Sequence, residues 1–147
     1  MFAAFLEWAA TLAAGLFAGA ALYVTLVEHP ARVSLGARAA IHEFGPSYRR
    51  GAAMQAPLSL VGAAAAIARW AMGASPAWLV GGLALGALVP FTLVIIMPTN
   101  TRLLDGRLDA GSEEAASLLR RWGTLHAVRT VVSLVVFGGF VALAAPH

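Results

Sequence analysis

The chain has 147 residues, of which 60% are hydrophobic and 12% charged, with no cysteine and a formal net charge of +3. A soluble domain carries roughly 25% charged residues, so lipid is the expected solvent for most of this surface. The missing cysteines exclude disulfides, thiolate metal sites and cysteine nucleophiles, and the missing lysines exclude Schiff-base chemistry.

All ten basic residues are arginines that flank apolar segments. They form no basic face, which argues against nucleic acid and for topology determinants. The length predicts a single membrane domain over 1–147.

Four apolar runs are each long enough to cross a bilayer, which takes about 20 helical residues. The first predicts a helix over about 3–29. It lacks a basic n-region and exceeds a signal-peptide h-region, so it is expected as a retained helix. Gly15-x-x-x-Gly19 gives it a face that a neighbouring helix can approach closely. Glu28-His29-Pro30-Ala31-Arg32 follows, and Pro30 is expected to end or kink the helix. Arg32 reads as a cytoplasmic anchor.

Between Arg32 and Arg50, Ala37, Ile41 and Phe44 recur at helical spacing, which predicts a short interfacial helix in loop 1. Gly45-Pro46-Ser47 reads as a turn. The second span is expected over about 48–73. Its stripe of Tyr48, Ala52, Gln55, Ser59 and Gly62 should face the bundle, because lipid cannot satisfy Gln55. Gly73-Ala74-Ser75-Pro76 reads as a tight turn. The third span, about 77–97, carries Gly82-x-x-x-Gly86 and ends at Met97-Pro98-Thr99-Asn100.

Ser112 followed by Glu113 and Glu114 reads as a helix start, with an N-cap and acids in the first turn. The fourth helix is expected over 113–144, with its first third beyond the hydrocarbon. Leu118, Trp122, Leu125 and Arg129 fall on one face at helical spacing. The fold class is therefore all-α, a four-transmembrane-helix bundle. No fine repeat is evident between its two halves.

Loops 1 and 3 hold most arginines, and the opposite side holds Arg69. The positive-inside rule then predicts a multi-pass protein of a bacterial inner membrane, with loops 1 and 3 cytoplasmic and both termini outside. The glycine-spaced faces leave a homo-oligomer open.

Ionisable groups inside a membrane bundle mark a functional site by default. Arg129 lies about one turn inside the fourth run, so it needs a partner or a snorkelling route. It can stabilise a developing oxyanion or pair with Glu28, for which Arg32 is the other candidate. His126 and Thr130 share its face. His126 or His29 can act as a general base near neutral pH. Gln55 and Asn100 can clamp a ligand or link helices, and Tyr48 and Trp122 sit at interfacial depth. Histidine and carboxylate ligands suit copper, iron or zinc, but His29, Glu28 and His126 lack any ligand-pair spacing.

Read together, the Glu28–Arg32 stretch, Pro46-Ser47-Tyr48-Arg49-Arg50, Met54-Gln55, Met97-Pro98-Thr99-Asn100 and Trp122…Leu125-His126-Ala127-Val128-Arg129-Thr130 resemble the anthrone oxygenase-like family of small four-helix membrane proteins. The resemblance implies an oxygenase that converts an anthrone to an anthraquinone with dioxygen, without an organic cofactor. The chemistry then assigns His126 or His29 as base and Arg129 as anion holder, with Gln55 or Asn100 assisting. Glu28 joins them as a catalytic candidate, and Tyr48, Thr130 and Trp122 as substrate contacts. The implied partner is a lipophilic aromatic molecule drawn from the bilayer. The alternatives are a copper- or iron-dependent membrane oxidoreductase using His29 and His126, and a non-enzymatic lipid- or quinone-binding module.

Overall fold

The computed structural model describes residues 1–145; Pro146 and His147, the end of the expected 1–147 domain, lie outside the described residues. The described chain is all helix and loop, with no strand. Four helices are long and apolar enough to cross a membrane: α1, Phe2–Ser34; α2, Ala37–Ala71; α3, Pro76–Leu103; and α4, Glu113–Ala144. At about 1.5 Å per residue, each exceeds the roughly 30 Å of a hydrocarbon core.

Three expected boundaries are corrected. Pro30 does not end α1, which continues to Ser34. The segment read as a separate interfacial helix is helical, but it is continuous with the second span. Gly45-Pro46-Ser47 is therefore no turn, and α2 runs unbroken for 35 residues past Pro46 and Pro57. Packing overrides the prolines here. Phe44 is fully buried, Tyr48 stacks on it at 5.7 Å, and Ser47 is hydrogen-bonded to α1. The third span likewise passes Met97 and reaches Leu103.

Two of these continuations share one device. A π turn, Val24–Glu28, precedes Pro30, and a second, Thr92–Ile96, precedes Pro98. In each, the next backbone N–H bonds five residues back, His29 to Val24 and Met97 to Thr92. A proline removes one rung and crowds the carbonyl four residues earlier; the wider turn relieves that crowding. The order then repeats: π turn, one residue, proline, one residue, buried polar side chain. That side chain is Arg32 in α1 and Asn100 in α3. The two halves of the bundle thus carry a repeat that the unlike sequences hide.

Loop ends follow their local chemistry. Gly36 and Gly73 take positive φ, 88° and 89°, where the chain reverses. Ser75 and Ser112 cap α3 and α4 through their side chains, accepting from Ala77 and Ala115. Glu113 and Glu114 stand in the first turn of α4, where the helix dipole favours acids. Loop 3 closes around Asp105, which accepts hydrogen bonds from the Arg107 backbone at 3.0 Å and side chain at 3.1 Å. The Arg107 side-chain bond first and its backbone bond second, ahead of the nearby arginine charges, hold the Asp105 carboxyl down to about 2.

The core has two apolar parts with a polar belt between them. Phe17, Trp78, Leu85 and Phe140 anchor the part away from the arginine-rich loops, and Phe44, Ile96, Leu119 and Trp122 anchor the other. Gln55, Ser59, His126, Thr130 and Ser133 are buried in or beside the helix segments that separate them, and Asn100 is buried between Ile96 and Leu103 of the second part. Small residues bring the backbones together. A Cβ at Gly62 would stand 2.7 Å from Leu85 Cδ2 and 3.3 Å from Ala13 Cβ. A Cβ at Gly82 would meet the Ala63 carbonyl and two side chains of α2 at 3.1 Å. Gly15 faces Phe137, whereas Gly19 has nothing within 4 Å, so the first glycine pair is only half used. Gly62→Val is expected to cost roughly 1–3 kcal/mol by overpacking. Gly19→Ala is expected to leave stability unchanged or raised. Unfolding in detergent measures both.

Candidate functional site

A cavity of about 760 Å³ opens among the four helices in the polar belt. Its size falls in the usual range for small-molecule sites, about 300–1,000 Å³. Glu28, Tyr48, Gln55, Asn100, Trp122, His126 and Arg129 all line it. His29 and Thr130 are not among its lining residues.

On α2, the stripe read from the sequence supplies one wall. Gln55 and Ser59 are buried. Ser59 donates to the Leu85 carbonyl at 2.7 Å and links α2 to α3. Gln55 Oε1 instead accepts from Arg129 Nη2 at 2.8 Å. The Arg129 guanidinium also lies 5.3 Å from the Phe17 ring centroid. Its Nε is buried without a partner, and it forms no ion pair among the described residues. A cation in this setting is poised to bind an anion.

Asn100 adds a second unsatisfied group. It is 0% exposed and lines the cavity, yet neither Oδ1 nor Nδ2 has a partner among the described residues. An amide buried in this way costs free energy until a ligand or water completes it. Its neighbour Thr99 is also buried. Tyr48 reaches the same region from α2, donating its hydroxyl to Met97 Sδ at 3.7 Å.

On α4 the buried face is Leu119, Trp122, His126, Thr130 and Ser133. Leu118 and Leu125, expected on that face, are only partly buried. His126 stacks on Trp122 with centroids 4.8 Å apart, and Trp122 meets Phe44 edge-on at 5.3 Å. His126 Nδ1 lies 3.1 Å from Thr25 Oγ1, which lies 2.7 Å from Thr130 Oγ1. Thr130 therefore supports His126 from behind and does not line the cavity.

His29 and Glu28, the other catalytic candidates, are placed differently. The His29 ring rests on Trp122, 5.0 Å between centroids. It occupies the space over Gly123, where a Cβ would come within 2.6 Å of its Nε2. Both histidines thus hold Trp122, but His126 alone of the two faces the cavity. Glu28 pairs with Arg32 and not with Arg129, and it also accepts from Ser47.

Arg32 requires a correction. It is buried, 4% exposed, and is no surface anchor. Glu43 pairs with its Nε at 2.7 Å, Ser47 accepts from its Nη2 at 2.9 Å, and the Phe44 and Trp122 rings lie 5.8 and 5.6 Å from its Cζ. This cluster ties α1 to α2 at one rim of the cavity. Glu43 and Ser47 lie one helical turn apart facing Arg32, a spacing visible in the sequence but masked there by the expected Gly45–Ser47 turn. Arg32→Met leaves two carboxylates without their cation. It is expected to cost roughly 3 kcal/mol, against no measurable change for the exposed Arg50→Met, read by thermal unfolding in detergent.

Among the described residues no three His, Asp or Glu side chains converge, and His29 does not share the cavity with His126. Arg32, His42, Glu43, Ser47 and Arg50 add a charged and polar rim at the arginine-rich end, and most of the other lining is apolar. Tyr23, Met54 and Leu93 reach both the cavity and the outer surface, at 55%, 49% and 59% exposure.

No curated protein matches this chain, and no solved structure does. One family model, described as anthrone oxygenase, matches residues 44–139. The matched stretch contains Tyr48, Gln55, Asn100, Trp122, His126 and Arg129, whereas the Glu28–Arg32 stretch precedes it. With well over half of its length matched, the chain belongs to the anthrone oxygenase family.

Proposed function

We propose that the protein is a membrane-embedded oxygenase that oxidises a lipophilic anthrone-like or phenolic substrate with dioxygen, using no metal or organic cofactor. One observation carries this reading: His126, the Arg129–Gln55 pair and Asn100, which has no side-chain partner among the described residues, line one cavity whose other walls are mostly apolar away from its charged rim. The exposed apolar side chains at its rim suit a substrate arriving from lipid.

His126 removes a proton from the benzylic methylene that is conjugated through the rings to the ketone. The electron pair moves to the ketone oxygen. Arg129, oriented by Gln55, binds this enolate oxygen, and Asn100 Nδ2 offers a further donor. Donors aimed at a developing oxyanion in a dry site supply much of the stabilisation in such reactions. The electron-rich carbon reduces dioxygen and forms the C–O bond. The resulting peroxide takes the proton held on His126. His126 then removes the second C–H proton, the new C=O forms, the O–O bond breaks, and the leaving hydroxide is protonated to water. The substrate loses two hydrogens and gains one oxygen atom, and water carries the other.

Glu28 and His29 are assigned support roles, Glu28 in the Arg32 cluster and His29 under Trp122. Arg49 and Arg50 in the first half of α2 and Arg120 and Arg121 near the start of α4 remain exposed at the end that carries loops 1 and 3, whereas Arg69 on the other side is paired with Glu7 at 2.6 Å. This asymmetry supports a cytoplasmic position for loops 1 and 3 in a bacterial inner membrane.

Anthrone turnover under oxygen by purified protein in nanodiscs is the test. Acceleration over empty nanodiscs is expected. Binding without acceleration would leave a quinone- or lipid-binding module instead. Stoichiometric copper or iron in active protein would contradict the cofactor-free form.

A further inference from the structure

We infer that Thr25 and Thr130 are positioning residues that hold neutral His126 with its proton on Nδ1, leaving Nε2 as the bare nitrogen. This rests on the reading of His126 as the base.

The assignment follows from counting hydrogens. Thr130 Oγ1 lies 3.1 Å from the Ala21 carbonyl oxygen and 3.3 Å from the His126 carbonyl oxygen. Carbonyl oxygens only accept, so the single Thr130 hydroxyl hydrogen goes to them. The 2.7 Å contact between Thr130 and Thr25 then needs the Thr25 hydrogen. Thr25 has none left for His126, 3.1 Å away, so Nδ1 must donate to Thr25 Oγ1. The opposite tautomer would spend the Thr25 hydrogen on Nδ1 and the Thr130 hydrogen on Thr25. Both carbonyl contacts of Thr130 would then bring lone pairs together inside the bundle, an unsatisfied arrangement that buried groups avoid.

Local structure delivers the parts. Thr25 lies within the π turn of α1, one helical turn beyond buried Ala21. Thr130 lies one turn beyond His126, so one hydroxyl reaches both the His126 carbonyl and α1. Ser133 in turn donates to the Thr130 carbonyl at 3.0 Å, and Trp122 fixes the imidazole plane.

The chain of hydroxyls ends on backbone carbonyls, which cannot pass a proton on. It therefore sets the ring's tautomer and does not conduct protons. The same wiring fits the imidazolium, whose Nδ1 also donates. His126 can thus gain a proton on Nε2 with no rearrangement behind it, which is how an orienting partner serves a catalytic histidine.

Nitrogen-15 NMR of ring-labelled protein tests this directly, with the His126 signals assigned by their loss in His126→Gln. Wild type is expected to show a protonated Nδ1 and a bare Nε2 in the neutral ring. Thr25→Val, and separately Thr130→Val, should shift the ring toward the other tautomer, and Thr25→Ser should restore it. A protonated Nε2 in the neutral wild-type ring, or an unchanged tautomer in both valine variants, overturns the inference. Activity separates this from the underlying reading. Thr25→Val should lower kcat roughly tenfold, a part of the 10²–10⁴ typical of a general base, with KM nearly unchanged. A shifted tautomer with full kcat would keep the wiring and sink His126 as the base.

Discussion

Replacing His126 by glutamine is expected to lower anthrone oxidation by roughly 10²–10⁴-fold, the usual contribution of a positioned general base. Glutamine keeps a polar side chain of similar reach, so the neighbouring Thr25 hydroxyl retains a candidate partner. The loss should therefore fall on kcat, with substrate affinity nearly intact. Binding measured without oxygen, where no turnover occurs, separates the two. The matching change at His29 is expected to act through packing. His29 rests on Trp122 and fills the space over Gly123, outside the cavity lining. His29→Gln should lower stability and change turnover far less than His126→Gln does. If the two effects came out reversed, the base would have to be moved to His29, and with it the site.

Arg129→Gln is the second large effect. The guanidinium is a buried cavity cation with no carboxylate partner among the described residues, and Gln55 aims it. Removing a donor to a developing oxyanion typically costs about 10²–10³-fold. A direct signature is available as well. Anthrone bound without oxygen should ionise in the wild-type cavity, and its extended anion absorbs at longer wavelength than the neutral ketone. Arg129→Gln should abolish that band while His126 is still present. Gln55→Leu should weaken the band less, because it removes the orienting contact and leaves the charge. A band that persists unchanged in Arg129→Gln would assign anion binding elsewhere, with Asn100 the next candidate.

The bundle was legible because hydropathy over windows of helical length reports lipid contact directly. The stripe through Gln55, Ser59 and Gly62 was legible for a related reason: lipid cannot satisfy an amide, so it must face inward. Ser112 announced the start of α4 through its own side-chain chemistry. The prolines misled. Local rules end helices at Pro30, Pro46 and Pro98, but π turns and interhelical packing carry the chain through each of them. That error hid the Arg32 cluster, because a turn at 45–47 would separate Glu43 from Ser47. It also hid the shared order behind Arg32 and Asn100. Thr25 gave no signal, since a lone threonine in an apolar run normally satisfies itself on its own helix. Its value depends on α4 lying opposite, and a one-dimensional pattern does not carry that contact. The two histidines show the same limit. Sequence spacing brought both to one end of the bundle, and the Trp122 ring that both rest on decides which one meets the cavity.

The central claim is that this cavity oxidises an anthrone-like substrate with dioxygen, His126 acting as the base. The most direct measurement is the initial rate of quinone formation from anthrone under oxygen-18 gas, with wild-type protein, His126→Gln and empty nanodiscs compared. The account predicts a rate well above empty nanodiscs for wild type, one oxygen-18 atom in each new carbonyl, and a His126→Gln rate close to background. A wild-type rate equal to that of empty nanodiscs, or a His126→Gln rate equal to wild type, would contradict it.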